Sequence, residues 1–344
     1  MKAVAYSIKP FEKEFLAKAN QKKHDITLIS NSLSLETSIY AEGKDAVIVF
    51  TNDNLSAPVI RKLAEKGIKY ITTRSSGTDH IDKGEAAKYH IKLSNVPSYS
   101  PQAIAEHTVA LALALSRHIV LADKQSKQFD FRNDDLIGFN FYGKTVGIIG
   151  MGNTGQAVAR IFNGMGCNVI GYDIEPPKKA SAIKMTGLDN LLTTSDIISL
   201  HVPLTPETRH LIERKTISLM KDGVMLINTS RGALIDTNDV IKALDRGKVA
   251  YLGIDDYEYE KGVFFEDHEA DKENDPLFKK LLDHPNVLVT PHQAYLTKES
   301  LQEIANQTIK NLDLWQANKC VGKACILQKD CDKNELKPTQ AINL

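Results

Sequence analysis

The stretch KTVGIIGMGNTGQAVARIF, residues 144–162, sets three glycines in a G-x-G-x-x-G pattern between an apolar strand-like run and an amphipathic helix-like run. The first glycine, Gly150, permits a tight turn, the second, Gly152, lets the backbone approach a pyrophosphate, and the third, Gly155, allows the helix to pack closely on the strand. The amides that begin the helix favour the negative charge of phosphates. The stretch therefore predicts a dinucleotide-binding βα unit.

The next strand-like run, NVIGYD, ends at Asp173, close to the position about 20 residues after the glycines where an acidic residue contacts a ribose. A carboxylate at this point accepts a hydrogen bond from the adenosine 2′-hydroxyl and repels a 2′-phosphate. The alternative is an aspartate that only caps a turn at the end of a strand. Because the strand, the glycines and the spacing occur together, we expect Asp173 to select NAD over NADP.

Strand-like and helix-like runs alternate over almost the whole chain, which is typical of doubly wound α/β proteins. Five strand-like runs precede residue 100, and six more extend from KTVGIIG to NVLVTPH. The closing helix-like run, KESLQEIANQTIKNLDLWQANK, has no strand partner in the second series, so we expect it to pack on the first. The sequence thus predicts a discontinuous substrate domain of residues 1–99 and 298–344, an NAD-binding domain of residues 100–297, and a ligand in the cleft between them.

Two segments interrupt this alternation. After Pro101 a long helix-like run extends through AIAEHTVALALALSRHIVLADKQSKQF. It suits a helix that bridges two lobes or packs across a dimer axis, and equally one that is simply buried. Between two strand-like runs, GVFFEDHEADKENDPLF, residues 262–278, is an acidic insertion. We expect it to lie in solvent, with Val263, Phe264 and Phe265 as its apolar anchor.

The composition argues against several kinds of partner. Lysine plus arginine and aspartate plus glutamate both number 43, and no extended basic run could neutralise successive phosphates, so nucleic acid is not an expected partner. The N-terminal segment has no signal-peptide core, and the most apolar helical run is interrupted at residues 116–118, well short of a span of about 20 residues. We therefore expect a cytoplasmic protein with no membrane partner.

The cysteines do not form the framework of a secreted protein, because there are only four and they are unevenly spaced. Cys167 lies within the predicted βα unit, whereas Cys320, Cys325 and Cys331 lie close together near the C-terminus. Three thiols at this spacing could bind zinc or react with oxidants, but they form no CxxC pair and have no evident fourth ligand. We expect reduced thiols in an ordinary tail, and no metal.

Three polar residues follow successive strand-like runs of the second domain, at the edge where an open α/β sheet binds its ligands. Arg231 follows GVMLINTS, Glu260 follows VAYLGIDDYEY, and His292 follows NVLVTP. Each has an ordinary alternative: a surface ion pair for the arginine, a solvated side chain for the glutamate, and a buried core residue or a metal ligand for the histidine. Their joint placement at a predicted nicotinamide site favours a shared chemical role.

The stretches around these positions resemble the NAD-dependent D-2-hydroxyacid dehydrogenases, and most closely the lactate branch of that family. They lie between about residues 74 and 315 and include VPSYSPQAIAEHT, GIIGMGNTGQAVA, LHVPLTPETRHLI, INTSRGALIDT, GIDDYEYE and PHQAYLT; the FFEDHEAD insertion is similar too. The resemblance implies a Rossmann NAD-binding domain and a flavodoxin-like substrate domain. It also implies a homodimer or a higher homo-oligomer, with the helix after Pro101 at the interface.

The resemblance assigns roles to individual residues. His292 matches the family's acid/base, Glu260 its paired carboxylate and Arg231 the arginine that binds the substrate. Other substrate contacts match Ser76, Gly77 and Tyr99. The expected NAD contacts are Gly150, Gly152, Asn153, Thr154, Gly155, Asp173, Val202, Pro203, Asn228, Thr229 and Asp255, the last of which matches the residue that holds the nicotinamide carboxamide.

The predicted reaction is the reduction of a 2-keto acid to a D-2-hydroxy acid, with hydride from NADH. Protonated His292 would supply the proton, and the planar guanidinium of Arg231 would bind the carboxylate. A Glu260 carboxylate beside His292 should raise the pKa of the histidine. Tyr295 stands where the family often has phenylalanine, and with Phe50 it suggests an aromatic pocket wall that favours pyruvate; 2-ketobutyrate, phenylpyruvate and branched 2-keto acids are the alternatives. An NAD(H)-sensing protein of the same fold is the alternative from another functional class.

One position departs from the family pattern, because the usual aspartate-valine pair is Asp255–Asp256 here. A second carboxylate thus stands beside the residue expected to hold the nicotinamide carboxamide. Since adjacent strand residues point to opposite faces, we expect Asp256 to face away from the cofactor.

Overall fold

The computed structural model describes residues 1–176, 183–271 and 275–327. Its strands are β1 (Lys2–Ala5), β2 (Asp25–Leu28), β3 (Ala46–Val49), β4 (Tyr70–Thr73), β5 (Lys92–Ser94), β6 (Thr145–Ile149), β7 (Asn168–Tyr172), β8 (Lys184–Met185), β9 (Ile197–Leu200), β10 (Val224–Asn228), β11 (Val249–Ile254) and β12 (Val287–Val289). Its α-helices are α1 (Glu12–Asn20), α2 (Ala57–Glu65), α3 (Lys83–Lys88), α4 (Pro101–Ser116), α5 (Ile119–Lys127), α6 (Asn153–Gly164), α7 (Leu188–Thr194), α8 (Arg214–Leu219), α9 (Thr237–Asp245), α10 (Pro276–Leu282) and α11 (Lys298–Gln316).

The chain divides into two compact units. The first unit comprises residues 1–100 and those from 297 onward, and the second comprises residues 101–296. In the first unit the five predicted strands form a parallel sheet of order β2-β1-β3-β4-β5, the order of flavodoxin-like doubly wound proteins. Alternate strand residues enter two separate cores, with Val4 on one face and Ala3 on the other. Helix α11 covers the second face, where it packs against α1 and β4.

The second unit contains a parallel sheet of order β12-β11-β10-β9-β6-β7-β8. Strands β6 and β9 are parallel neighbours, and successive strands are added outward from them in opposite directions across the sheet. The gap between β6 and β9 is therefore the switch point at which doubly wound sheets bind ligands. The sequence predicts six strands here, and that number is wrong, because β8 adds a seventh at the edge beside β7. A strand of two residues is too short to show any periodicity in the sequence.

The starts of several helices follow from local side-chain chemistry. The side chains of Asp82, Asp236, Asp275 and Thr297 each accept a hydrogen bond from the backbone amide three residues further on, at the starts of α3, α9, α10 and α11. These bonds satisfy amides that have no partner within the helix. The helices therefore begin where short polar residues precede the helix-like runs.

The long helix predicted after Pro101 is in fact two helices. The backbone of His118 adopts a left-handed conformation with φ of 49°, which ends α4 and begins α5. Helix α4 buries one side against α6, β10 and β11, whereas every side chain of α5 remains at least partly exposed. Among the described residues, no single helix is long and apolar enough to cross a membrane; α4 and α5 meet the length and composition requirements only as a pair bent by 62°.

Two further expectations concern the acidic insertion and the tail. Phe264 is buried in the core of the second unit and Phe265 packs against the same core, as the predicted anchor requires.

Cys320 forms a disulfide, so the expectation of reduced thiols throughout the tail is wrong for this residue. Cys325 is a free thiol, whereas Cys331 lies outside the described residues.

Candidate active site

The glycine turn lies at the switch point of the second sheet. Gly150 has a positive φ of 95°, and a Cβ at this position would collide with the carbonyl group of His201, directly after β9. A Cβ at Gly155 would collide with the carbonyl oxygen of Gly150. By contrast, a Cβ at Gly152 would meet none of the described atoms within 4 Å. Gly150 and Gly155 therefore permit close packing inside the turn, whereas Gly152 leaves the outer side of the turn open.

This turn fits the pyrophosphate of a dinucleotide. The first backbone amides of α6 have no acceptor within the helix, and they follow the exposed residue Gly152. Asn153 is exposed as well, and Thr154 lies in the first turn of the helix. Val202 and Pro203 follow β9 on the neighbouring side of the same switch point. The turn is open at Gly152, as a bound pyrophosphate would require, whereas the NAD contacts of Asn153, Thr154, Val202 and Pro203 stay predictions.

Asp173 is fixed beside this turn by backbone donors. Its Oδ2 accepts a hydrogen bond from the amide of Met151 at 2.7 Å, and its Oδ1 accepts one from the amide of Glu175 at 2.9 Å. The turn-capping alternative is therefore real, but each carboxylate oxygen has a second lone pair. A ribose hydroxyl can be bound without loss of either contact.

Asp173→Ala is expected to narrow the preference for NADH over NADPH by about 10–100-fold, because a hydrogen bond to a charged acceptor contributes about 1.5–3 kcal/mol. The preference is measured as the ratio of kcat/KM for the two cofactors. Since the change also removes two contacts to backbone amides, the Tm of the variant provides the control for loss of structure. An unchanged ratio in a folded variant would place the ribose contact elsewhere.

The turn that carries Arg231 is built by internal hydrogen bonds. The fully buried Asn228 donates to the carbonyl of Arg231 at 2.8 Å and accepts from the amide of Ser230 at 3.1 Å. The hydroxyl of Thr229 bonds to that of Thr108 at 2.8 Å. Asn228 and Thr229, both predicted as NAD contacts, thus have structural partners that hold Arg231 at the end of β10.

Gly232 brings this turn against the segment that follows β11. A Cβ at Gly232 would collide with the backbone of Tyr257 and Glu258, so only glycine allows the two segments to approach so closely. The sequence patterns above do not identify Gly232 as a residue of the site. The signal available was a glycine directly after the predicted substrate-binding arginine.

Asp255 fixes the loop after β12. Its buried carboxylate accepts hydrogen bonds from the hydroxyl of Thr290 at 2.5 Å and from the amides of Gln293 at 2.9 Å and Ala294 at 2.7 Å. The backbone carbonyl of Asp255 accepts a hydrogen bond from the amide of His292 at 2.8 Å. These contacts hold His292 in a left-handed conformation with φ of 51°. Such a conformation persists in a side-chain-bearing residue only where its surroundings impose it.

The imidazole of His292 lies between two carboxylates. Its Nδ1 is 3.3 Å from Oε2 of Glu260, the predicted partner, and 3.1 Å from Oδ1 of Asp256. Burial lowers the pKa of His292, but the charges of Asp256 and Glu260 outweigh burial and the opposing charge of Arg231, and raise it to about 9. The ring is therefore an imidazolium at neutral pH. The rings of Phe265 and Tyr295 flank it, with centroids 5.6 and 6.3 Å away.

Asp256, which we expect to face away from the cofactor, contacts His292. Strand β11 ends at Ile254, so the alternation of faces does not extend to Asp256, and its carboxylate is turned toward His292. Burial raises the pKa of Asp256, and the charge of Glu260 raises it further, against the cations His292 and Arg231. One carboxylate oxygen of Asp256, one of Glu260 and one ring nitrogen of His292 lie within 4.8 Å of one another. The spacing of these residues in the sequence did not reveal this cluster.

The predicted substrate contacts of the first unit follow its strand ends. Ser76 is exposed, and Gly77 and Tyr99 are half-buried. Phe50 is only 6% exposed, with the guanidinium carbon of the buried Arg74 5.4 Å from its ring centre. The ring of Phe50 therefore belongs mainly to the core of the unit.

Comparisons with known proteins agree with this architecture. Residues 109–294 match the family model of the D-isomer specific 2-hydroxyacid dehydrogenase NAD binding domain. D-lactate dehydrogenase kk1H of Curvularia clavata is 44% identical over 324 residues, which cover 92% of each chain. D-lactate dehydrogenase of Escherichia coli is 40% identical over 91% of this chain and 96% of its own. The solved pyruvate reductase of Chlamydomonas reinhardtii superposes with a TM-score of 0.87 at 40% identity, over 94% of this chain and 98% of its own. The chain belongs to the family of NAD-dependent, D-isomer specific 2-hydroxyacid dehydrogenases.

Proposed function

We propose that the protein is a D-lactate dehydrogenase, which reduces pyruvate to D-lactate with NADH and catalyses the reverse reaction. The observation that carries the proposal is the His292 imidazolium, held at Nδ1 by carboxylates and within the electrostatic influence of Arg231. The names of the related dehydrogenases and of the pyruvate reductase support pyruvate as the substrate.

The residues divide the chemistry between them. Bound NADH supplies the hydride, and the glycine turn with Asp173 would hold this cofactor. The fork of Arg231 pairs with the carboxylate of the keto acid and polarises its carbonyl group. Because the carboxylates occupy Nδ1 of His292, Nε2 is the atom that donates a proton to the developing alkoxide. In the oxidation of D-lactate the neutral ring accepts this proton again.

The proposal includes two properties that the sequence suggests. A homodimer is supported by apolar side chains that α5 and the following segment expose, among them Val120, Phe129, Phe131, Ile137 and Tyr142. Burial of such side chains against a second copy is favourable. Ser76, Gly77, Tyr99 and Tyr295 stay predicted substrate contacts, and the cytoplasmic location stays a prediction as well.

The test uses the full chain with NADH and a panel of pyruvate, 2-ketobutyrate, phenylpyruvate and a branched 2-keto acid. The loss of NADH absorbance is expected to give the highest kcat/KM with pyruvate, and chiral analysis of the product is expected to give D-lactate. A preference for a larger acid would overturn the substrate alone, since one methylene changes discrimination by only about 1–3 kcal/mol. If the protein binds NADH but reduces none of these acids, the proposed catalytic function is wrong and the NAD(H)-sensing alternative is favoured.

A further inference from the structure

Two carboxylates lie beside His292, the predicted acid/base, whereas the sequence predicts only that of Glu260. Asp256 and Glu260 approach the same atom, Nδ1 of His292, at 3.1 and 3.3 Å. The side chain of Asp256 is 2% exposed, whereas that of Glu260 is 26% exposed. A charge removed from water is screened less, so Asp256 has the stronger electrostatic effect on the ring.

Among the described residues, Oδ1 of Asp256 lacks the hydrogen bonds that the carboxylates of other buried aspartates accept. Asp255 accepts from two backbone amides and a hydroxyl, and the buried Asp53 of the first unit accepts from the amides of Leu33 and Phe50 and the hydroxyl of Ser7. Within the described part of the chain, Oδ1 of Asp256 accepts no hydrogen bond of normal geometry. Burying a carboxylate in this way is costly, and His292 is the cation beside it.

We propose that Asp256 is a positioning residue of the acid/base histidine: together with Glu260 it holds the Nδ1 edge of His292, keeps the ring charged and leaves Nε2 to the substrate. The role in turnover rests on the proposed function, but the pairing with His292 does not. Among the described residues of the second unit, the charges of Arg231 and Asp255 act on this set. The titratable ring of Tyr295 lies 6.3 Å from that of His292, and His107 lies 3.5 Å from the carboxylate of Asp255.

The proposal predicts a pH effect with a definite sign. Reduction of a keto acid requires protonated His292, so activity is present below the pKa of this residue and is lost as pH rises through it. Burial of the ring lowers this pKa, whereas the charge of Asp256, the hydrogen bond to Glu260 and the charge of Glu260 raise it, and the charge of Asp256 is the largest single one of these causes. Loss of the Asp256 charge should therefore move the alkaline limb of the pH profile to lower pH.

Two variants separate charge from shape. Asp256→Asn keeps the size of the side chain without its charge, and Asp256→Val introduces the residue usual in the family. Both are expected to lower the alkaline midpoint of kcat/KM for pyruvate by about 1–3 pH units, the usual effect of an opposite charge at this range. The KM for NADH should stay unchanged. If Asp256→Asn keeps the wild-type midpoint, the charge has no such role and the proposal is overturned, whatever Asp256→Val does.

A second measurement does not depend on turnover. The ring of His292 is titrated directly by NMR of its Cε1 carbon in the substrate-free protein, with the signal assigned by its absence in His292→Ala. A lower midpoint in Asp256→Asn supports the proposal even if no keto acid is reduced, whereas an unchanged midpoint overturns it. Both titrations are repeated with EDTA. If EDTA raises the wild-type midpoint, a cation held by these carboxylates sets the midpoint and the proposal also fails.

Discussion

His292→Ala is expected to lower kcat for pyruvate reduction by about 10²–10⁴-fold, the usual contribution of a positioned general acid. The affinity for NADH should stay within about twofold, because the cofactor is expected to bind the glycine turn and Asp173 and a change of that size is under 0.5 kcal/mol. Single-turnover kinetics and fluorescence titration with NADH measure the two quantities separately. The loss should be largest in the step that transfers the proton.

The backbone of His292 requires its own control. Its left-handed conformation is strained for alanine, whereas asparagine tolerates it better, so His292→Asn tests the loss of the proton donor with less disturbance of the loop. His90→Asn is the matched control, since His90 is an exposed histidine of the first unit with a φ of 56°. If NADH affinity falls as much as kcat in both His292 variants, the residue is structural and the acid/base role is wrong.

Arg231→Lys is expected to reduce kcat/KM for pyruvate by about 10²–10³-fold, mainly through KM, because truncating one partner of a buried charge pair costs about 2–5 kcal/mol. Lysine keeps the charge but lacks the planar fork that binds both oxygens of a carboxylate. Steady-state kinetics with pyruvate at saturating NADH measure the effect. Arg231→Ala should lose more, and added guanidinium should restore part of that loss.

Arg209→Lys is the matched control for this change. Arg209 is an exposed arginine that pairs with Glu258 at 3.5 Å, so its replacement should leave both constants close to those of the wild type. A KM for pyruvate that is unchanged in Arg231→Lys would exclude Arg231 as the carboxylate-binding residue. An equal effect of both substitutions would indicate a general electrostatic effect.

The fold could be predicted because its signals are local. Apolar runs of strand length, the helical runs between them and the glycine pattern after β6 predicted two doubly wound sheets and an NAD site, and the comparisons confirm the fold class, the family and the cofactor. The errors have local causes too. Strand β8 is too short to show a period, and the break at His118 depends on a single left-handed residue inside a continuous helical pattern.

Sequence by itself also determined the chemical types at the sheet edge: a cation after β10, a carboxylate after β11 and a histidine after β12. It could do so because parallel strands end at one edge, whatever their loops do. Only the tertiary structure decided which side chains meet. Gly232 lets two loops touch, Asp255 turns His292 toward its carboxylates, and Asp256 lies beyond the last paired residue of β11, where the alternation of faces no longer applies. Contacts between residues that are distant in the sequence set these positions, and a local pattern of apolar and polar residues cannot predict such contacts.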